Sequence, residues 1–243
     1  MLAVIAGTGF YSLGKKIEES DFMTPYGPAG LQLVSLMGEQ LIFLPRHGTR
    51  HRLPPHRINY RANVAALKKA GVTGVLAIYS SGAISKYKPG DIVLIDDFMA
   101  LGPQGHPVTF YDDFSEGLRH TDFSEPFSKE MKAKLREVAG VEKVNLKSGG
   151  IVATVPGPRY ETKSEIKALK KLGANLVNMT SAPEMTLLRE AEIDFAAVAV
   201  VTNYAAGVSK TKKPINAQEN LAVMKGVYGK LVALIGGFVE EIV

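Results

Sequence analysis

Residues 195–202, FAAVAVVT, constrain the fold more than any other stretch. Seven apolar residues in succession close on a single hydroxyl. A strand that is apolar on both sides has to be covered on both, as happens inside a parallel sheet flanked by helices. The predicted class is therefore α/β. The strand delivers Asn203-Tyr204-Ala205-Ala206-Gly207. An asparagine at a strand end offers a donor and an acceptor together, which suits the edge of a heterocyclic base.

The stretch 151–184 repeats the alternation. Residues 151–155 read as a strand stopped by Pro156-Gly157-Pro158. Glu165, Ile166, Leu169, Lys170 and Leu172 then recur at helical spacing, and Gly173 ends the helix. A short strand over 175–179 leads to Thr180-Ser181-Ala182-Pro183-Glu184, the start of another helix. Tyr160, Glu161, Met179 and Thr180 thus fall where strands end and helices begin, the place where α/β sheets bind ligands. An aromatic face for a flat ring, a carboxylate acceptor for ring N–H groups and a nearby hydroxyl look like a nucleoside site.

With 243 residues, 46% of them hydrophobic, the chain can bury one large core. No Ser/Gly- or Pro-rich linker divides it, so one domain over 1–243 is expected. The absence of cysteine removes disulfides and thiol chemistry and suits a cytoplasmic protein. Residues 1–6 lack a basic leader and run straight into a glycine turn, reading as a buried strand rather than a signal peptide. No apolar run approaches the roughly 20 residues of a membrane span. The net charge of +5 is spread over pairs such as Lys68-Lys69 and Lys170-Lys171, on the polar faces of predicted helices. Lys210-Thr211-Lys212-Lys213 is the one basic cluster and lies in a loop. Without aromatic interleaving it does not point to nucleic acid, and a small anionic ligand accounts for the charge as well.

Residues 2–6 deliver Gly7-Thr8-Gly9, where bare backbone N–H groups can approach an anion. Position 12 is Ser, so the dinucleotide fingerprint fails, and a plain tight turn explains the glycines equally well. Residues 31–37 and 40–44 read as antiparallel strands joined at Gly38-Glu39, the second delivering Pro45-Arg46-His47-Gly48. His47, His51 and His56 are candidate metal ligands, but no carboxylate or cysteine joins them at a standard spacing. Oxyanion recognition by guanidinium is the more natural reading. It fits Arg46, directly after a buried strand, better than Arg50 and Arg52, which suit an exposed loop. A helix is expected over 58–69. The strand 74–79 ends in Ser80-Ser81-Gly82-Ala83, again either a close approach to a ligand or an ordinary turn. Pro89-Gly90 turns the chain into a strand over 91–96. Residues 101–125 are loop-like, and the loop carries His120, within reach of a neighbouring subunit. A final helix over about 217–241 puts Leu221, Met224, Val227, Leu231, Leu234 and Phe238 on one core-facing stripe.

Several phrases together resemble the trimeric purine nucleoside phosphorylase and methylthioadenosine phosphorylase family. They are Gly7-Thr8-Gly9, Pro45-Arg46-His47-Gly48, residues 55–63 (PHRINYRAN) and Pro89-Gly90-Asp91, followed by residues 120–127 (HTDFSEPF), residues 157–162 (GPRYET), Asn178-Met179-Thr180 and Ala182-Pro183-Glu184. Each is weak alone, but in this order they are specific and span the chain to about Gly207. The resemblance implies a twisted, mixed, partly closed sheet flanked by helices. It also implies phosphorolysis of a purine nucleoside to free base and ribose 1-phosphate. Thr8, Arg46, His47 and Thr180, with the backbone around Ser80, match its phosphate positions. Tyr160 and Met179 match residues lining the ribose and base, and His120 one that enters the next subunit's site near the ribose 5′ position. A trimer or dimer of trimers is implied, with inorganic phosphate as co-substrate and neither metal nor organic cofactor.

Two positions bear on which purine is used. Members acting on 6-oxopurines resemble this chain in having Glu161, which accepts from the base, and Asn203, which bonds N7 and O6. Methylthioadenosine phosphorylases instead resemble Ser at the first and Asp at the second, with a further Asp where this chain has Ala205. The expected base is hypoxanthine or guanine, because a 6-amino group would find no acid. Ala217 stands opposite the His that bonds a 5′-hydroxyl in ribonucleoside enzymes, so a 5′-methylthio group is expected to fit. The expected substrates are therefore inosine, guanosine and 5′-methylthioinosine. A methylthioadenosine phosphorylase and a non-catalytic nucleoside-binding protein are the alternatives.

Overall fold

A computed structural model describes residues 1–48, 52–101, 108–115, 117–211 and 213–242. Nine strands form one sheet. They are β1 (Leu2–Ala6), β2 (Lys15–Thr24), β3 (Gly27–Leu36), β4 (Glu39–Pro45), β5 (Gly74–Ala83), β6 (Ile92–Ala100), β7 (Leu146–Thr154), β8 (Leu176–Asn178) and β9 (Asp194–Tyr204). Their spatial order is β2-β3-β4-β1-β5-β8-β7-β6-β9, and β9 pairs back onto β5. Five strands therefore close on themselves, while β1 to β4 extend from the ring as a wing. β1 is parallel to β4 and β5, and β5 is parallel to β9, so these four strands end on the same side. β2–β3, β3–β4, β5–β8 and β6–β9 are antiparallel. The sheet is thus mixed and partly closed, as expected.

The apolar run that set the fold class lies in β9. Phe195, Ala197, Ala199 and Val201 enter one core cluster, and Ala196, Val198 and Val200 enter another on the opposite face. Helices α1 (Tyr60–Lys69) and α4 (Ser181–Glu190) cover the first cluster. Helices α2 (Lys129–Val141) and α5 (Ala217–Ile242) cover the second. A third, smaller cluster is closed by α3 (Lys163–Lys171). By length and composition α5 would suffice for a membrane span, against the sequence expectation. Its Met224, Val227, Leu231, Leu234 and Phe238 are nevertheless buried in the protein core.

Other differences are local. β5 continues through Ser80, Ser81 and Gly82, and β9 through Asn203 and Tyr204, so these residues are paired strand rather than the turns that follow. β2 is a largely exposed strand at the sheet edge, where charged residues such as Lys15, Lys16, Glu18 and Glu19 hide the strand pattern. Leu221 remains 37% exposed, at the outer end of the α5 stripe.

Candidate active site

The common end of β1, β4, β5 and β9 opens into a cavity of about 320 Å³, bordered also by the N-termini of α4 and α5. Thr8, Arg46, His47, Ser80 and Thr180 form one group of lining residues. Arg46, at the end of β4, is only 2% exposed. Its Nε and Nη2 donate to the two oxygens of Glu184 at 2.8 and 2.7 Å, and Nη1 donates to the Ile78 carbonyl at 3.0 Å. Tyr79 donates its hydroxyl to the same carboxylate at 2.7 Å, and its ring lies 4.3 Å beneath the guanidinium. Burial alone would lower the Arg46 pKa, but the facing carboxylate more than reverses this. A guanidinium has five N–H donors, so two remain after these three bonds.

A side chain at Gly7 would have to displace the site, since a Cβ would lie 2.8 Å from Arg46 Nη1 and 3.0 Å from His47 Nε2. His47 Nδ1 is 2.7 Å from the Leu53 carbonyl, which requires the hydrogen on Nδ1 and fixes the ring. Ser80 Oγ donates to the Thr8 carbonyl at 3.1 Å, joining the β1 turn to β5. At the start of α4, Asn178 Oδ1 accepts from the backbone N–H of Thr180 and Ser181, and Thr154 Oγ1 accepts from that of Ala182. The Thr180 hydroxyl is therefore not used as the cap, although Thr180 is the cap residue. A helix N-terminus, hydroxyls and a buried arginine make this part of the cavity receptive to an oxyanion.

The second group comprises Tyr160, Glu161, Met179, Asn203 and Ala217. Glu161 is buried, and desolvation raises its pKa above the ordinary range; the Glu165 charge adds to the rise, while Glu161's own backbone N–H and Arg159 oppose it. Arg159 forks onto Glu165 at 2.9 and 2.7 Å. Glu165 also closes a capping box with Thr162, which immediately follows Glu161. Asn203 accepts from Thr202 Oγ1 at 3.1 Å and donates to the Tyr204 carbonyl at 2.9 Å. One N–H and one lone pair remain to it. Met179 packs against Gly157, where a Cβ would come within 2.6 Å of its Sδ.

Two expected residues are not on this cavity. Ala205 is 2% exposed and shares a core cluster with Ile84, Ile166 and Leu169, its N–H bonded to the Ala83 carbonyl, because the chain still follows β5 just past the end of β9. It borders instead a neighbouring groove of about 970 Å³ that shares Tyr160 and Glu161 with the cavity. Lys163, Lys167 and Lys170 of α3 line that groove, with Lys210 and Lys213. His120 is exposed, edge-on to Phe114 at 5.6 Å. Of the candidate metal ligands, His47 lines the cavity and His56 is exposed on a short turn of 3₁₀ helix. Arg52 is exposed, whereas Arg50, His51 and Lys212 lie outside the described residues. No group of three potential metal ligands occurs among the described residues.

Sequence reasoning did not assign Glu184 or Asn220 to the site. Glu184 lay in a stretch already singled out, but its pairing with Arg46 spans 138 positions and has no local signal. Asn220 lines the cavity one helical turn after Ala217, and that spacing was legible.

Known proteins resemble the whole chain. The sequence profile of the phosphorylase superfamily matches residues 1–240. A probable 6-oxopurine nucleoside phosphorylase of Thermococcus kodakarensis is 42% identical, over 87% of this chain and 82% of its own length. A probable S-methyl-5′-thioinosine phosphorylase of Methanopyrus kandleri is 40% identical, over 99% of this chain and 92% of its own. Among solved structures, the methylthioadenosine phosphorylase from Schistosoma mansoni in complex with adenine superposes with a TM-score of 0.91 at 29% identity. It covers 99% of this chain and 91% of that one.

Proposed function

Because this chain belongs to the phosphorylase superfamily, we propose that it cleaves the N-glycosidic bond of 6-oxopurine nucleosides with inorganic phosphate. The products are hypoxanthine or guanine and ribose 1-phosphate; 5′-methylthioinosine is a third substrate, giving 5-methylthioribose 1-phosphate. The observation that carries this reading is that Glu161 and Asn203 line one cavity with the Arg46, His47, Thr8, Ser80 and Thr180 group. In the proposed complex the phosphate takes the two remaining Arg46 donors, the hydroxyls and the N-terminus of α4. Glu161 accepts from the ring N–H, while Asn203 donates its remaining N–H to O6 and accepts with its remaining lone pair from N7 once that nitrogen is protonated. As the glycosidic bond lengthens, the ribosyl carbon becomes cation-like and a phosphate oxygen bonds it from the opposite face, while the base leaves with the bonding pair, neutral because N7 has taken a proton from water. Positioning and charge complementarity supply the acceleration. Tyr160 and Met179 line the base and ribose, and the reaction needs no metal or organic cofactor. His120 of an adjacent subunit in a trimer closes the 5′ end.

Names of relatives at 40–42% identity support the 6-oxopurine reading. Glu161 supports it independently, as a carboxylate on the cavity wall that can accept from the N1–H a 6-oxopurine carries and an adenine lacks. The test is free-base release from inosine, guanosine, 5′-methylthioinosine and 5′-methylthioadenosine, with and without phosphate. Phosphate-dependent release of hypoxanthine or guanine is expected. Adenine released from methylthioadenosine faster than hypoxanthine from inosine overturns the base assignment. Binding with no release from any of the four establishes a non-catalytic nucleoside-binding protein.

A further inference from the structure

We infer that Asn220 reads the 5′ position of the nucleoside and makes the protein prefer a 5′-hydroxyl to a 5′-methylthio group. This rests on the phosphorylase reading and corrects its 5′ end, where Ala217 alone predicts an apolar pocket. Ala217 and Asn220 occupy successive turns on one face of α5, and both line the cavity. The next residues along that face fix the helix in place. A Cβ on Gly9 would come 3.5 Å from Leu221 Cδ2 and 2.6 Å from Met224 Cγ, so α5 crosses the turn that carries Thr8. Asn220 Nδ2 reaches the other side of the cavity, donating to the Tyr160 hydroxyl at 3.3 Å. The Asn220 carboxamide thus bridges the region between the Thr8 turn and Tyr160, where the sugar of a nucleoside spanning both groups must pass.

This bond to Tyr160 also orients the amide. With Nδ2 on the tyrosine, Oδ1 faces away, and among the described residues no donor reaches it. A 5′-hydroxyl supplies that donor. If the amide is rotated, the phenol donates to Oδ1 and Nδ2 is left for the ligand, and a hydroxyl satisfies that arrangement too, being both donor and acceptor. A methylthio group satisfies neither, having no hydrogen to donate and only a weakly accepting sulfur. Ala217 leaves room for the larger group but gives it no polar compensation.

The test compares inosine, 5′-deoxyinosine and 5′-methylthioinosine in the wild type, Asn220→Ala and Asn220→Leu. Turnover is measured alongside calorimetric binding in phosphate, and Gln218→Ala, in the same turn but on the opposite, exposed face of the helix, serves as control. Alanine and leucine favour helix, so α5 is expected to hold. We expect kcat/KM and affinity for inosine to fall by about tenfold in both variants, the loss of one well-placed hydrogen bond. Values for the other two nucleosides should change by less than about threefold, a spread within the noise of a lost van der Waals contact. Tyr160→Phe, which frees the amide, should narrow the inosine preference in the same direction. Equal losses for all three nucleosides, or no loss for any, overturn the inference. A wild type that turns over nothing while its binding still shows the selective loss overturns the phosphorylase reading and sustains this one.

Discussion

Arg46 is the residue around which the site's charge is arranged, and it does not act as a free cation. Its fork is closed onto Glu184, itself 1% exposed and bonded by Tyr79. As a unit the pair is neutral. The cavity therefore offers an oxyanion directed N–H donors rather than net positive charge, which fits a substrate that must also be released as a phosphate ester. Glu161 is the counterpart on the other wall. Burial raises its pKa, so the folded protein holds that proton more tightly than the unfolded chain. This group's contribution to stability is thus present at low pH and lost as pH rises through the raised value, whereas the proposed base recognition needs the ionised form. Activity and this stability contribution run in opposite directions with pH. The kcat/KM profile for inosine should fall on its acid side with a midpoint above the ordinary glutamate range, and Glu161→Gln should abolish that limb along with most of the activity. An acid limb unchanged in the glutamine variant would remove Glu161 from the base-binding role.

The element that keeps Glu161 in place is α3. Thr162 accepts from the Glu165 N–H at 3.1 Å, and Glu165 accepts from the Thr162 N–H at 2.7 Å. Arg159 and that N–H hold the Glu165 pKa down to about 2. The cap therefore stays ionised throughout the range in which Glu161 titrates, and the acid limb reports the cavity rather than a fraying helix. Thr162→Ala should cost about 1 kcal/mol in urea unfolding, the usual worth of an N-cap, and raise KM for inosine more than it lowers kcat. Unchanged KM with lowered stability would separate the cap from the site. The spacing of Ile166 and Leu169 made this helix legible. Strand ends were less legible. Ser80, Ser81, Gly82 and Asn203 look like turn residues, but pairing between β5 and β9 carries both strands past them. β2 was obscured because a solvated edge strand has no apolar face to reveal it.

At the scale of the molecule, closure of β5, β8, β7, β6 and β9 into a ring explains why most of the site was readable while its geometry was not. Motifs at the ends of strands announce a ligand, but only the ring decides which of them share a wall. Ala205, two residues past Asn203, falls outside the cavity for that reason. The loop after β6 returns to the body at fixed points: Arg61 Nη1 donates to Asp112 at 2.9 Å, and the Phe110 N–H donates to Glu190 at 2.6 Å. Beyond these anchors Phe114 is 50% exposed and Leu118 79% exposed, and the Phe114 ring lies edge-on to His120. An apolar surface held on fixed anchors fits a contact with another copy of the chain. Light scattering should give a particle of three chains or six. Mixing refolded Glu161→Ala and His120→Ala chains should restore activity that neither has alone; failure to complement would confine each site to one subunit. The basic groove beside the cavity has a consequence for inhibitor chemistry. A purine analogue with a sulfonate on a short tether would keep its ring beside Glu161 and lay its tail along Lys163, Lys167 and Lys170. Its selectivity would then be written on the outer face of α3 rather than on the residues that hold the ring.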